Sequence, residues 1–331
     1  MADLVLTIDA GTSGCKAILF DFNGRTVAKD QRSYQLDTTI SGQAELNIEA
    51  FMPALRSSVK TAMTGYEPER ILGICVSAQL GIVFVNKAGR PLTNIISWMD
   101  KRAVDQAEQI KVLMGDTTVY CYAGRRIDPE LPACKLLWLK QHKNEIFDRV
   151  HKLLSIKDYI VFWLTGEWTT DPIHASYSMM FDVARMRWHK PFFQTFDLPI
   201  EILPAVLDSS ALAGRLRGDT ASELNLKEGI DVYTGGPDGS LAALGAGLVE
   251  DGDVVHVVGT TDVILACSRK TVFDNRMRTL VNGYAIPGLW TIGGPMSTTG
   301  GCLQWFFENF SRSSQVVEDA ALESSFEALM H

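Results

Sequence analysis

The sequence predicts an α/β protein of two domains, and three observations carry that prediction. A chain of 331 residues with 46% hydrophobic content can bury more than one core, since single cores stop growing at roughly 250–300 residues. Short runs rich in Val, Ile and Leu, bounded by Gly and Asn, alternate with stretches whose apolar residues recur every three or four positions. One short pattern also occurs twice. Leu4-Val5-Leu6-Thr7-Ile8 leads into Asp9-Ala10-Gly11-Thr12-Ser13-Gly14 and a second apolar run, and Val254-Val255-His256-Val257-Val258 leads into Gly259-Thr260-Thr261 and another. Each copy reads as strand, tight turn, strand.

The first hundred residues read as a strand-rich unit. Strands are expected at 4–9 and 15–22, then at 26–36 after the hairpin signal Asn23-Gly24. Ile48, Phe51, Leu55, Val59 and Met63 form the stripe of an amphipathic helix, with Pro53 obscuring where it starts. Strands at 71–77 and 82–86 follow, then a helix from Lys101 to Met114. Three strands, a helix and further alternation is the order of a ribonuclease H-like domain. From 130 to 225 the chain reads as helix-rich, with Trp138, Phe162 and Trp163 assigned to the core and Lys140 to Lys152 to a solvated face. A boundary is expected at 246–252, giving domains 1–247 and 248–331. The C-terminal domain is expected to be incomplete, because it ends in a helical run from Glu318 to Met330 with no closing sheet.

Composition excludes several classes. A net charge of −8 argues against general nucleic-acid binding, which needs a basic footprint to release counterions. No apolar run is long enough to span a bilayer, and Asp3 and Asp9 interrupt any leader-like stretch, so a cytoplasmic protein without membrane contact is expected. The six cysteines show no CxxC spacing and read as buried reduced thiols. The six histidines form no ligand pair at helical spacing, and His256 reads as a satisfied core residue.

The repeated turn has a chemical use. Glycine lets the backbone approach an anion while successive N–H groups and a hydroxyl point inward, so two such turns can grip one polyphosphate. Only the first copy has a carboxylate before its turn, Asp9, where the other has Val257. One carboxylate suits a single Mg²⁺, which takes its other ligands from phosphate and water. Between the copies lies Tyr233-Thr234-Gly235-Gly236-Pro237-Asp238-Gly239. It reads as a strand to Thr234, a tight bend, and a helix from Asp238, whose carboxylate is favoured in its ionised form by the helix N-terminus. Between two phosphate-gripping turns, that carboxylate is placed to accept a proton from an alcohol.

Five segments in order, Asp9 to Gly14, Trp98-Met99-Asp100-Lys101-Arg102, Thr170-Asp171-Pro172, Gly235 to Gly239 and Gly259-Thr260-Thr261, resemble the signature of the FGGY carbohydrate kinases across nearly the whole chain. Lys135-Leu136-Leu137-Trp138, Lys157-Asp158-Tyr159 and Phe181-Asp182-Val183 are most similar to its xylulose kinase branch. The resemblance implies paired ribonuclease H-like domains, actin/hexokinase-like, closing on sugar and ATP with Mg²⁺. It implies Asp238 as catalytic base, Asp9 near the metal, and Gly11, Thr12, Ser13, Gly259, Thr260 and Thr261 on phosphates. Gln79, Leu80, Gly81, Trp98, Asp100, Arg102 and Asp238 would meet the sugar, although Asp100 and Arg102 read equally as a surface ion pair and Asp171 as a turn or cap residue. The match departs at Leu80-Gly81, where xylulose kinases usually carry Met-His and glycerol kinases Arg-Glu. The expected activity is ATP-dependent phosphorylation of a small sugar or polyol, a ketopentose first. The alternatives are another polyol such as glycerol, or a sugar-binding or regulatory remnant. A homodimer stays open.

Overall fold

The computed structural model describes residues 3–258, 262–296, 302, 305 and 306. A six-stranded sheet forms the centre. Its strands are β1 (Leu4–Ala10), β2 (Gly14–Asp21), β3 (Thr26–Ser33), β4 (Ile71–Ala78), β5 (Leu212–Arg215) and β6 (Asp231–Pro237), in the order β5-β6-β4-β1-β2-β3. The antiparallel run β1-β2-β3 is the expected meander, while β4 and β6 lie parallel to β1. Leu4, Leu6, Ile8 and Ala10 of β1 are buried, alternating with half-buried neighbours, as a strand with one face on the core requires. Residues 26–36 are not one strand: β3 ends at Ser33, where Tyr34 turns inward, its N–H donating to the Ser13 carbonyl.

Helix α1 (Ile48–Ala62) covers this sheet with Phe51, Met52, Leu55 and Val59 buried. Each such side chain contributes about 1.5–3 kcal/mol relative to exposure. The start is set by Asn47, whose side chain accepts the Glu49 N–H at 2.8 Å. Pro53 sits inside the helix on its exposed face, where water can satisfy the carbonyl left without a donor. Helices α2 (Val104–Met114), α3 (Pro132–His142), α4 (Ile156–Thr165) and α5 (Pro172–Tyr177) follow, with α5 against β6. Trp138, Phe162 and Trp163 are half-buried rather than enclosed, each packed against a core edge. Phe162 stacks on Trp168 at 3.7 Å between centroids, and the Arg102 guanidinium lies 5.0 Å over the Trp138 ring. The 140–152 face is mostly solvated, but its end lysines are tied down: Lys140 donates to the Phe196 carbonyl at 3.1 Å and Lys152 to that of Leu203 at 2.9 Å.

After Ala246 another sheet begins. Strands β7 (Val254–Val258), β8 (Asp262–Ser268), β9 (Leu280–Gly283) and β10 (Trp290–Met296) form an antiparallel sheet ordered β7-β8-β10-β9. The downstream copy of the repeated pattern is therefore also a hairpin, β7 with β8. Its turn residues Gly259, Thr260 and Thr261, and the helical run 318–330, lie outside the described residues. Two expectations are corrected here. His256 is exposed, its Nε2 3.2 Å from the Asp262 carboxylate, because β7 presents that face to solvent. Cys121 and Cys302 are exposed, unlike buried Cys15, Cys134 and Cys267, and all six thiols are free. No described helix is long and apolar enough to cross a membrane.

Candidate active site

The parallel register brings the expected site residues together. Ala10 of β1 pairs with Ala78 of β4, and Ala78 pairs with Pro237 of β6. Gly11, Gln79 and Asp238 are therefore each the first residue beyond three adjacent strand ends. Neighbouring strands lie about 4.8 Å apart, so the Gly11 turn and Asp238 stand roughly 10 Å from each other with Gln79 between them. Crevices at the carboxyl ends of parallel strands are where open α/β sheets bind ligands.

Gly235 makes the approach to Asp238 possible. Its φ is +71°, and a Cβ there would stand 1.9 Å from the Val76 carbonyl oxygen, so only glycine fits. The expected Gly-Gly-Pro bend is instead an irregularity within β6, between Tyr233 and Gly236, and the strand runs on to Pro237. Asp238 then opens helix α6 (Asp238–Gly245) with its carboxylate accepting the Gly239 N–H at 2.7 Å. It keeps solvent access but is hemmed in by protein atoms along the cleft. That desolvation raises its pKa above the ordinary carboxylate value against the pull of the Gly239 amide, and the nearby Asp9 charge raises it further.

Asp9 is half-buried beside Ser77, whose hydroxyl donates to Oδ1 at 3.0 Å. The Gly11 turn closes through Gly11 N–H to the Gly14 carbonyl at 2.9 Å, and the Tyr34 hydroxyl donates to the Gly11 carbonyl at 2.7 Å. Among the described residues the amides of Thr12 and Ser13 have no protein acceptor, which leaves them for an anion. Trp98, 38% exposed, donates from Nε1 to the Thr12 hydroxyl at 3.4 Å and so borders the same cleft. The donor set suits Mg²⁺ held by Asp9, phosphate oxygens and water. No group of three or more His, Cys, Asp or Glu able to hold a metal alone exists among the described residues.

Asp100 and Arg102 form neither a surface pair nor an open substrate contact. Asp100 is fully buried, accepts the Ala44 N–H at 2.7 Å and receives Arg102 through both carboxylate oxygens, while Arg102 also reaches Glu45 at 2.7 Å. Lys135 donates to the Ser97 carbonyl at 2.7 Å, and burial pushes its pKa down to about 8. These charges pin the 97–102 loop that presents Trp98. Any influence of Asp100 on a substrate runs through that loop.

Sequence reasoning missed a buried cluster behind the cleft. Asp171 caps α5 through the N–H groups of Ile173 and His174, as expected of a cap. It also meets Lys157 Nζ at 3.0 Å and His174 Nδ1 at 2.6 Å, and Lys157 meets Asp158 at 2.6 Å, all at 3% side-chain exposure or less. Burial works against the Asp171 charge, yet Lys157 and His174 hold its carboxyl far below the usual range. Burial likewise opposes the Lys157 charge, and Asp158 and Asp171 outweigh it, raising its pKa. The available signal was Lys157-Asp158 inside an otherwise apolar helix, since charged residues are almost never buried unless paired.

The family model described as the FGGY family of carbohydrate kinases, N-terminal domain, matches residues 4–245, a span that carries β1 to β6 and Asp238. The chain belongs to the FGGY family of carbohydrate kinases. It is 28% identical over 302 residues to a xylulose kinase of Staphylococcus xylosus, covering 91% of this chain and 62% of that protein. It is 27% identical over 315 residues to a gluconokinase of Bacillus subtilis strain 168, covering 95% and 61%. The crystal structure of a xylulose kinase from Rhodospirillum rubrum superposes with a TM-score of 0.90 at 25% identity, covering 98% of this chain and 66% of that one. This FGGY chain thus spans about 62% of the length of the Staphylococcus xylosus relative. Its mixed α/β fold is the actin/hexokinase-like fold expected from sequence.

Proposed function

We propose that the protein phosphorylates a hydroxyl of a small sugar or polyol at the expense of ATP, with a ketopentose such as xylulose the first candidate. The observation that supports this best is the placement of Asp238, with its pKa raised, across a cleft from the Gly11-Thr12-Ser13 turn and Asp9. Asp238 accepts the proton of the attacking hydroxyl, the free amides of the turn hold phosphate oxygens, and Trp98 closes one side against water. Asp9, oriented by the Ser77 hydroxyl, would hold Mg²⁺, which when bound with ATP offsets charge on the transferring phosphoryl group. Gly259, Thr260 and Thr261 are assigned to phosphates by the same proposal, as are Gln79, Leu80 and Gly81 to the sugar. So is the division into a sugar-binding, catalytic unit at 1–247 and the start of a nucleotide-binding unit at 248–331. The separate sheet β7 to β10 supports that division.

The test is ATP consumption across a panel of ketopentoses, aldonates and polyols with Mg²⁺, run beside calorimetry of sugar binding. Asp238→Asn should keep sugar affinity within about threefold while turnover falls by on the order of 10²–10⁴. Near-normal turnover in that variant overturns the assignment. Sugar binding without turnover in the parent chain supports the sugar-binding alternative instead.

A further inference from the structure

A cavity of about 30 Å³ is lined by residues that include Leu80, Gly81 and Ile82 together with Asp158, His174 and Ser178. Such a volume takes one water, or one hydroxyl-bearing tip of a larger molecule. Most polar side chains around it are already committed. The Ser178 hydroxyl donates to the Ala175 carbonyl at 2.6 Å and accepts the Met180 N–H at 3.0 Å. Asp158 accepts the Ser155 N–H at 3.0 Å through one oxygen and faces Lys157 with the other. His174 differs. Its side chain is 3% exposed and its Nε2 is buried with no hydrogen-bond partner among the described residues.

The state of His174 follows from its neighbour. Asp171 is held ionised by Lys157, so its oxygen 2.6 Å away accepts, and Nδ1 carries the hydrogen. Nε2 of the neutral ring then offers a lone pair, and Nε2 of the charged ring offers a hydrogen. A hydroxyl both donates and accepts, so it complements either form, whereas an ammonium or a carboxylate complements only one. His174 itself lies toward the reacting centre: a Cβ on Gly236, two residues before Asp238, would lie 3.5 Å from Cδ1 of the adjacent Ile173, and the charge of His174 acts on the Asp238 carboxylate. An unpartnered buried nitrogen costs stability, a cost that an arriving hydroxyl removes.

We propose that His174 is a specificity-determining residue, whose Nε2, oriented by Asp171, hydrogen-bonds a non-reacting hydroxyl of the acceptor substrate in the cavity beside Leu80 and Gly81. This rests on the sugar-binding reading above. It deepens that reading by naming the group that discriminates among hydroxylated substrates where the Leu80-Gly81 wall is apolar.

The experiment begins with calorimetry of the full chain against ketopentoses and polyols. If none binds, the sugar-binding reading itself fails, an outcome distinct from those that follow. For the tightest-binding sugar, a series of single deoxy analogues is measured on the parent protein and on two variants. His174→Gln places an amide near the position of Nε2, and His174→Asn reaches only the position of Nδ1. One analogue should bind the parent about 10–100-fold more weakly than the full sugar. His174→Asn should weaken the full sugar by a similar factor without further weakening that analogue, and His174→Gln should restore binding to within about threefold. The parent's His174 Nε2 resonance in ¹⁵N NMR, which needs no variant to fold, should shift at saturating sugar. An unmoved resonance overturns the proposal. Equal losses across every deoxy analogue in His174→Asn also overturn it, since they mark a purely structural role.

Discussion

At the scale of single residues, the proposed chemistry rests on Asp238 and on the charge of Asp9 close enough to act on it. Loss of water and the charge of Asp9 both favour protonation of Asp238. A base must be deprotonated to act, so the acid limb of kcat/KM should fall at a pH above the usual aspartate value. Moving that limb down by Asp9→Asn, read in the pH profile of the residual activity, checks the coupling; an unshifted limb refutes it. Gly235 is the other decisive residue. Its left-handed backbone and the 1.9 Å approach of the Val76 oxygen leave no room for a methyl group. Gly235→Ala should cost on the order of 3 kcal/mol or more in urea unfolding. Asp238 was legible from its Gly-Gly-Pro-Asp-Gly setting, because turn and cap chemistry is local. Burial is not local, so the same reading could not tell whether Asp100 and Arg102 lay outside or inside.

At the scale of elements, α4 and α5 are joined by ions rather than by apolar surface alone. Lys157 on α4 and Asp171 at the cap of α5 are both enclosed; removing Asp171 leaves Lys157 with Asp158 as its one remaining carboxylate among the described residues and takes away the acceptor of His174 Nδ1. Asp171→Asn should therefore lower stability by about 3–5 kcal/mol. The pH dependence has a definite sign. The Asp171 pKa is lowered in the folded state, so its stabilisation is complete above the unfolded carboxylate value of about 4 and is lost as pH falls below it. Urea midpoints of the parent should drop from pH 6 to pH 3, and those of Asp171→Asn should drop less. Existence and order of the elements were largely readable, since helix and strand periods are written in the sequence. Their ends were less so: β3 stops early because Tyr34 is drawn to the Ser13 and Gly11 carbonyls, partners that sit more than twenty residues upstream.

At the scale of the whole molecule, the two sheets differ in how firmly they are held. Among the described residues, the central sheet rests on an extensive core that includes α1 and α4, whereas the C-terminal sheet packs on two smaller clusters, one around Ala243, Leu248 and Tyr284 and one around Val281 and Phe181. Val254, Val257 and Ile264 of the C-terminal sheet remain exposed. That sheet is anchored to the rest by contacts made mainly from β9 and β10, among them the Val281 N–H to the Gly124 carbonyl at 2.8 Å, the Gly283 N–H to the Ser176 hydroxyl at 3.0 Å and the Trp290 indole N–H to the Val183 carbonyl at 2.8 Å. Native-state hydrogen exchange should show β7 and β8 opening at lower free energy than β1 and β4. Equal protection in both sheets would contradict that ranking.

The sequence alone determined the α/β class, the repeated hairpin, the family and the identity of the acidic residue at the sheet edge. These follow from periodicity, turn chemistry and short motifs, all of which act over a few neighbouring residues. Only the tertiary structure decided which charges are enclosed, that Gly11, Gln79 and Asp238 leave the sheet side by side, and that His174, whose Nε2 has no hydrogen-bond partner among the described residues, lines a cavity. Those properties depend on strand register and on what packs behind each strand, and both are set by contacts between segments far apart in the chain.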